Sequence, residues 1–138
     1  GHNYQLMHTK APRAIVNVEA SPRGTYSVQP ITATPFFHAN QYQTLTLPQT
    51  FGNSSVHRIA RVAKLPPPKS TADMLAILGD QGDHSWPIFH DNASHAAGDL
   101  SDWTIASALF DLRKHSLQVF SGNPAHGGVV IATEALPA

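Results

Sequence analysis

Hydrophobic and polar positions alternate from the start of the chain, with Tyr4, Leu6 and His8 set against Gln5 and Met7. Period-two patterning of this kind predicts a strand, and Lys10-Ala11-Pro12 follows it as a turn. Ala14-Ile15-Val16-Asn17-Val18-Glu19 is a β-branched run that ends near the tight-turn signal Ser21-Pro22-Arg23-Gly24, and Thr25 to Val28 returns. The expected result is a short antiparallel meander. Pro30 and Pro35 punctuate a further extended piece through Phe36, Phe37 and His38, and residues 43–53 read as a loop. The period then changes. Val56, Ile59, Ala60 and Ala63 fall at i, i+3, i+4, i+7, one helical stripe, with Ser54 or Ser55 as the expected N-cap and Pro66-Pro67-Pro68 as the stop. Ser70-Thr71-Ala72-Asp73 opens a second helix, Met74, Leu75, Ile77 and Leu78 supply its buried face, and Gly79 or Gly82 closes it.

Residues 80–102 are polar and read as a long irregular excursion carrying Asp83-His84, His90-Asp91-Asn92 and His95. Trp103 to Leu112 is apolar enough for a strand buried on both faces. A turn at Arg113-Lys114-His115-Ser116 then leads into a hairpin partner, Leu117 to Phe120. The tail adds one more apolar run, Val129 to Ala132, to which the pattern gives no clear role. Strands, two helices, then strands is an α+β order, not an alternating βαβ one. No internal repeat is visible, and residues 1–138 make one domain-sized unit.

Composition narrows the partners. Charged residues are only 13% of the chain and the formal net charge is zero, so the basic field that nucleic acid requires is missing. At 41% hydrophobic residues, disorder is also disfavoured. No apolar run approaches the ~18 residues of a membrane span. The opening Gly1-His2-Asn3-Tyr4 lacks the regions of a signal peptide and enters an apparent strand at once, as though in mid-domain. With no cysteine, the chain has no disulfide, thiolate metal site or thiol nucleophile of its own. The compartment stays open. So little surface charge agrees with a chain that covers much of its surface with a partner.

Four features, in order along the chain, carry a family resemblance. Asn3-Tyr4-Gln5-Leu6 with Val16-Asn17-Val18-Glu19 looks like a pair of core strands, and Phe37-His38-Ala39-Asn40-Gln41-Tyr42 like a "His-Thr-Asn-His" segment. Ser54-Ser55-Val56-His57-Arg58 looks like a "Ser-Ser-x-x-Arg" helix start, and Thr104 to Phe120 ending in Ser121-Gly122-Asn123-Pro124 like late strands before a "Gly-x-Pro" turn. Together they resemble the N-terminal-nucleophile amidases of the isopenicillin N acyltransferase and choloylglycine hydrolase superfamily. The resemblance implies the C-terminal part of an αββα sandwich and cleavage or transfer at a linear amide C–N bond of a small substrate. In that family a cysteine freed by self-cleavage attacks the amide, and its own α-amine acts as base. The asparagine of the segment matching His38 to Tyr42 serves the oxyanion, which makes Asn40 the counterpart here. The arginine after the double serine lies beside the nucleophile, and Arg58 matches it.

Two neighbours depart from the family pattern, Gln41 where histidine is common and Ala39 where threonine is. A larger departure is that the nucleophile has no counterpart, since Gly1 has no side chain. The resemblance therefore implies that the chain is a further cleavage product, a separately encoded subunit or a fragment. Its partner is then the cysteine-bearing N-terminal portion or subunit of the same enzyme, as in a heterodimer formed by autoproteolytic processing. The competing class is a non-catalytic binding or assembly module that keeps the fold. At single residues, Asn40 has a turn role as its plain alternative. Arg58 has a surface role, although a cation near a helix N-terminus favours a specific partner. Glu19 reads as structural and Arg61 as a solvated face residue. His84, His90 and His95 with Asp83 and Asp91 offer metal-type donors, but their spacing matches no compact motif. The reading takes no metal and no cofactor. Nor does a Gly-x-Ser-x-Gly elbow appear.

Overall fold

The computed structural model describes residues 1–12, 14–50, 52–99 and 102–137. Phe51 of the expected 43–53 loop, and Leu100 and Ser101 of the expected excursion, lie outside the described residues. The alternating segments form the expected meander: β1 (His2–Met7), β2 (Ile15–Ala20) and β3 (Tyr26–Pro30) pair antiparallel in the order β1-β2-β3. Gly24, with φ of 81°, makes the β2–β3 turn, a left-handed conformation that glycine adopts without steric cost.

Register decides what each face of this sheet carries, because directly paired residues share a face. Glu19 lies opposite Asn3 and Ser27, and Asn17 opposite Gln5 and Gln29. One face is therefore polar, and the other bears Tyr4, Leu6, Val16, Val18 and Val28. The buried face is the polar one. Asn17 and Glu19 are fully buried, whereas Leu6 is 58% and Tyr26 67% exposed. Residues 36–49 lie over the polar face without joining the sheet as a strand, and bends fall at 40, 41, 43, 44 and 47.

Helix α1 (Asn53–Val62) starts one residue before the expected serines, with Gly52 as N-cap and no side-chain cap. Its inward stripe is also displaced by one residue from the expected one. Ser55 is buried and Arg58, Ile59 and Val62 are half-buried, while Val56, Ala60 and Ala63 are exposed. Both serines are thus free to serve Arg58 rather than the helix end. Helix α2 (Thr71–Leu78) agrees more closely: Ser70 caps it by accepting from the Asp73 amide at 3.1 Å, and Gly79 is the C-cap. Leu75, Ile77 and Leu78 are half-buried, but Met74 is exposed.

The excursion contains a short helix, α3 (Asn92–Ala96), that the pattern did not reveal. It is held by a capping box in which Asp91 accepts from the Ala93 and Ser94 amides and Ser94 Oγ accepts from the Asp91 amide. After it, β4 (Ser107–Asp111), β5 (Ser116–Ser121) and β6 (Val129–Ala135) make a second antiparallel sheet in chain order. The tail run is its third strand. The expected strand over Trp103 to Leu112 is shorter than its apolar run and not buried on both faces, with Ile105 at 89% exposed. Asn123, buried after β5, donates to the Gly79 carbonyl at 2.9 Å and accepts from the Ala125 amide, tying this turn to the end of α2. Among the described residues, the buried apolar set is Ala39, Leu45, Phe89 and Phe120.

Candidate active site

The site is built on Glu19. Near the end of β2, its fully buried carboxylate faces the loop that crosses the sheet. His38 Nε2 donates to Oε1 at 2.8 Å and the Gln43 amide donates to the same oxygen at 2.6 Å. Oε2 accepts from the Thr44 amide, the Thr44 hydroxyl and the Leu45 amide, at 3.0, 3.0 and 2.7 Å. Burial pushes the Glu19 carboxyl up, but the hydrogen bonds from Gln43, His38, Leu45 and Thr44 outweigh it and hold the group at about 2. A carboxylate accepting several amide hydrogen bonds behaves this way. Tyr42 adds a tether, its hydroxyl donating to the Ala20 carbonyl at 3.0 Å, and Gln49 accepts from the Tyr42 amide at 2.8 Å.

Asn40 sits within the span so anchored. Its Oδ1 accepts from Arg58 Nη2 at 2.8 Å. The two residues singled out by the sequence, one on a loop and one on α1, are therefore in direct contact. With Oδ1 engaged, Nδ2 is the donor end left over, and nothing among the described residues accepts from it. Asn40 lines a cavity of about 550 Å³ together with Arg23, Tyr42, Leu47, Gln49 and Thr50.

Ser54 and Ser55 explain the position of Arg58. Arg58 Nε donates to the Ser54 carbonyl at 3.3 Å and to the Ser54 hydroxyl at 3.2 Å, and Nη2 reaches the Ser55 hydroxyl at 3.5 Å. These neutral acceptors aim the guanidinium at Asn40 without neutralising it, and no described carboxylate pairs with it. Burial lowers the Arg58 pKa, yet an arginine stays charged in such a setting. The arrangement is a poised positive charge beside an oriented amide donor.

Other singled-out residues lie elsewhere. Arg61 is not a solvated face residue: it makes a two-point contact with Asp80, both bonds 2.7 Å, and that pairing raises its pKa while lowering that of Asp80. His84 is exposed, His90 Nδ1 meets Asp99 at 2.7 Å, and His95 stacks on Trp103 at 4.7 Å. Among the described residues no three of His, Cys, Asp or Glu gather as metal ligands would. Ser94 Oγ donates to Asp99 Oδ2 at 3.0 Å. A second cavity, of about 250 Å³, is apolar and lies among Phe36, Phe37, Val62, Leu65, Met74 and Ile77, away from these polar groups.

Glu19 and His38 are the site residues whose part sequence reasoning undervalued. A glutamate at an inward position of an otherwise apolar-looking strand was the available signal, since a buried carboxylate demands donors. Compared with known proteins, residues 1–126 match the family model described as acyl-coenzyme A:6-aminopenicillanic acid acyl-transferase. No curated protein and no solved structure matches the chain.

Proposed function

The chain belongs to the acyl-coenzyme A:6-aminopenicillanic acid acyl-transferase family, and on that premise we propose that it serves a cysteine-nucleophile enzyme acting on linear amide C–N bonds. The family's general activity is acyl transfer and amide hydrolysis of the N-terminal-nucleophile type. In the proposed reading, the two sheets are the C-terminal part of an αββα sandwich, and the nucleophile comes from a cysteine-bearing N-terminal portion or subunit.

The observation that carries this reading is the Arg58–Asn40 hydrogen bond at 2.8 Å. It occupies the amide oxygen and leaves the NH₂ end as donor. In the proposed reaction the thiolate attacks the amide carbonyl carbon, and the carbonyl π pair moves onto oxygen. Asn40 Nδ2 donates to that oxyanion, the kind of interaction that strengthens as charge develops. Collapse breaks the C–N bond, the leaving nitrogen takes a proton from the α-ammonium, and an acyl-enzyme remains for water or another amine. Arg58 supports the chemistry by favouring an anionic sulfur beside it.

Mass spectrometry of the purified protein under native and denaturing conditions tests the partner. A second polypeptide beginning with cysteine, bound one to one, is the expected result. For that assembly, Asn40→Ala is expected to lower kcat on an amide substrate by about 10²–10³-fold, roughly 2.7–4 kcal/mol. An Asn40→Ala assembly with unchanged kcat would sink the oxyanion role. A second reading, a non-catalytic binding or assembly module, is favoured by the exposed apolar sheet face. A stable folded monomer with no cysteine-bearing partner would select it.

A further inference from the structure

We propose that Glu19 is the positioning residue of this site, setting Asn40 by clamping both ends of its loop onto one buried carboxylate. The inference rests on the reading of Asn40 as the oxyanion donor. Its physical basis lies in how few atoms hold the loop. His38, two residues before Asn40, and Gln43, three residues after it, both donate to the same oxygen, Oε1. The four residues between them are closed over a single atom, with Ala39 packed into the interior at 4% exposure. Thr44 and Leu45 extend the clamp onto Oε2. Asn40 itself is exposed, and its side-chain partner is Arg58. Its placement therefore depends on backbone held from below by Glu19 and on the guanidinium beside it.

A carboxylate is needed because five donors converge on the two oxygens. An amide of the same shape has one acceptor oxygen and places an NH₂ against the remaining donors. Glu19→Gln consequently keeps the volume but sets donor against donor at one half of the clamp. Asn40 would shift rather than disappear, and displacement of a catalytic group by about 1 Å costs on the order of 10²-fold in rate.

Two measurements on the intact protein test the proposal. Amide hydrogen exchange by NMR reads the clamp without any activity: Glu19→Gln is expected to speed exchange at Gln43, Thr44 and Leu45 by about tenfold or more. The Val16 and Val18 amides of the sheet should stay protected. In the cysteine-bearing assembly, the same variant is expected to lower kcat about 10²-fold with KM within about twofold, and Glu19→Asp, which retains both oxygens, should recover part of kcat. Unchanged exchange at 43–45, or equal loss of protection across the whole sheet, overturns the clamp. An active wild type in which Asn40→Ala is impaired but Glu19→Gln is not overturns the positioning role and leaves the amidase reading intact. A wild type inactive on every amide removes the amidase reading, and the exchange data then decide whether Glu19 holds the loop.

Discussion

A glutamate held at about 2 against an ordinary 4.5 makes Glu19 a source of acid-sensitive stability. The folded value lies below the unfolded one, so its contribution is complete above about pH 4.5 and disappears as pH falls toward 2. A shift of that size corresponds to on the order of 3 kcal/mol. Unfolding free energy measured by denaturant titration from pH 7 to pH 2 should therefore fall in that window. Glu19→Gln should be less stable at pH 7 and show a shallower decline below pH 4.5. Parallel curves for the two proteins would mean the carboxylate is not held by these donors. At the same scale, Arg58 is the opposite case: half-buried, hydrogen-bonded to neutral oxygens, and without a described carboxylate. Burial disfavours its charge, but an arginine stays protonated in such a setting, and the charge is left available for an anion.

Elements were legible where local pattern and tertiary environment agree. The β1–β2–β3 meander and α2 follow from period, Pro-Gly turn chemistry and a Ser70 cap, all of which are local signals. For α1 the pattern located the helix but not its inward side. The apolar stripe Val56–Ala60–Ala63 faces out, and the inward stripe holds Ser55 and Arg58, whose hydrogen bonds lead to Asn40. Asn40 and Arg58 were legible only through motif resemblance, since their contact joins residues on separate elements. Helix α3 was missed because its capping box uses Ser94 at the position where Glu or Gln is the recognisable signal. Its stability rests on that box, given that five residues are too few to hold a helix by themselves. Asp91 Oδ1 also accepts from Gln81 Nε2 at 2.7 Å. Asp91→Ala should accordingly destabilise the protein by about 1 kcal/mol, lowering Tm by roughly 3 °C in a calorimetric scan, with faster exchange at the Ala93 and Ser94 amides. No change in either would assign the hold on α3 to packing instead.

For the whole molecule, surface area carries the argument. The chain exposes 8914 Å², whereas a folded monomer of its mass exposes about 7,000 Å². The excess is on the order of 2,000 Å², the size of a permanent interface. Part of the exposed apolar surface lies on the second sheet, at Val129, Val130 and Ile131, and part on the first, where Tyr4, Leu6, Tyr26 and Val28 are each half or more exposed while the polar face is buried. Under the proposed function, the cysteine-bearing segment packs against this apolar face as the facing layer of the sandwich. Replacing Leu6 and Val28 by lysine should leave the site loop intact, because Glu19 and its donors occupy the other face. The double variant should still lose affinity for the segment by about 10²-fold or more, given that burying one such side chain is worth roughly 1.5–3 kcal/mol. Native mass spectrometry of the two proteins mixed with the segment measures this directly. Undiminished binding places the partner on another surface. Loss of a dimer of this chain, in place of loss of the segment, assigns the face to self-association and supports the assembly-module reading over the enzyme.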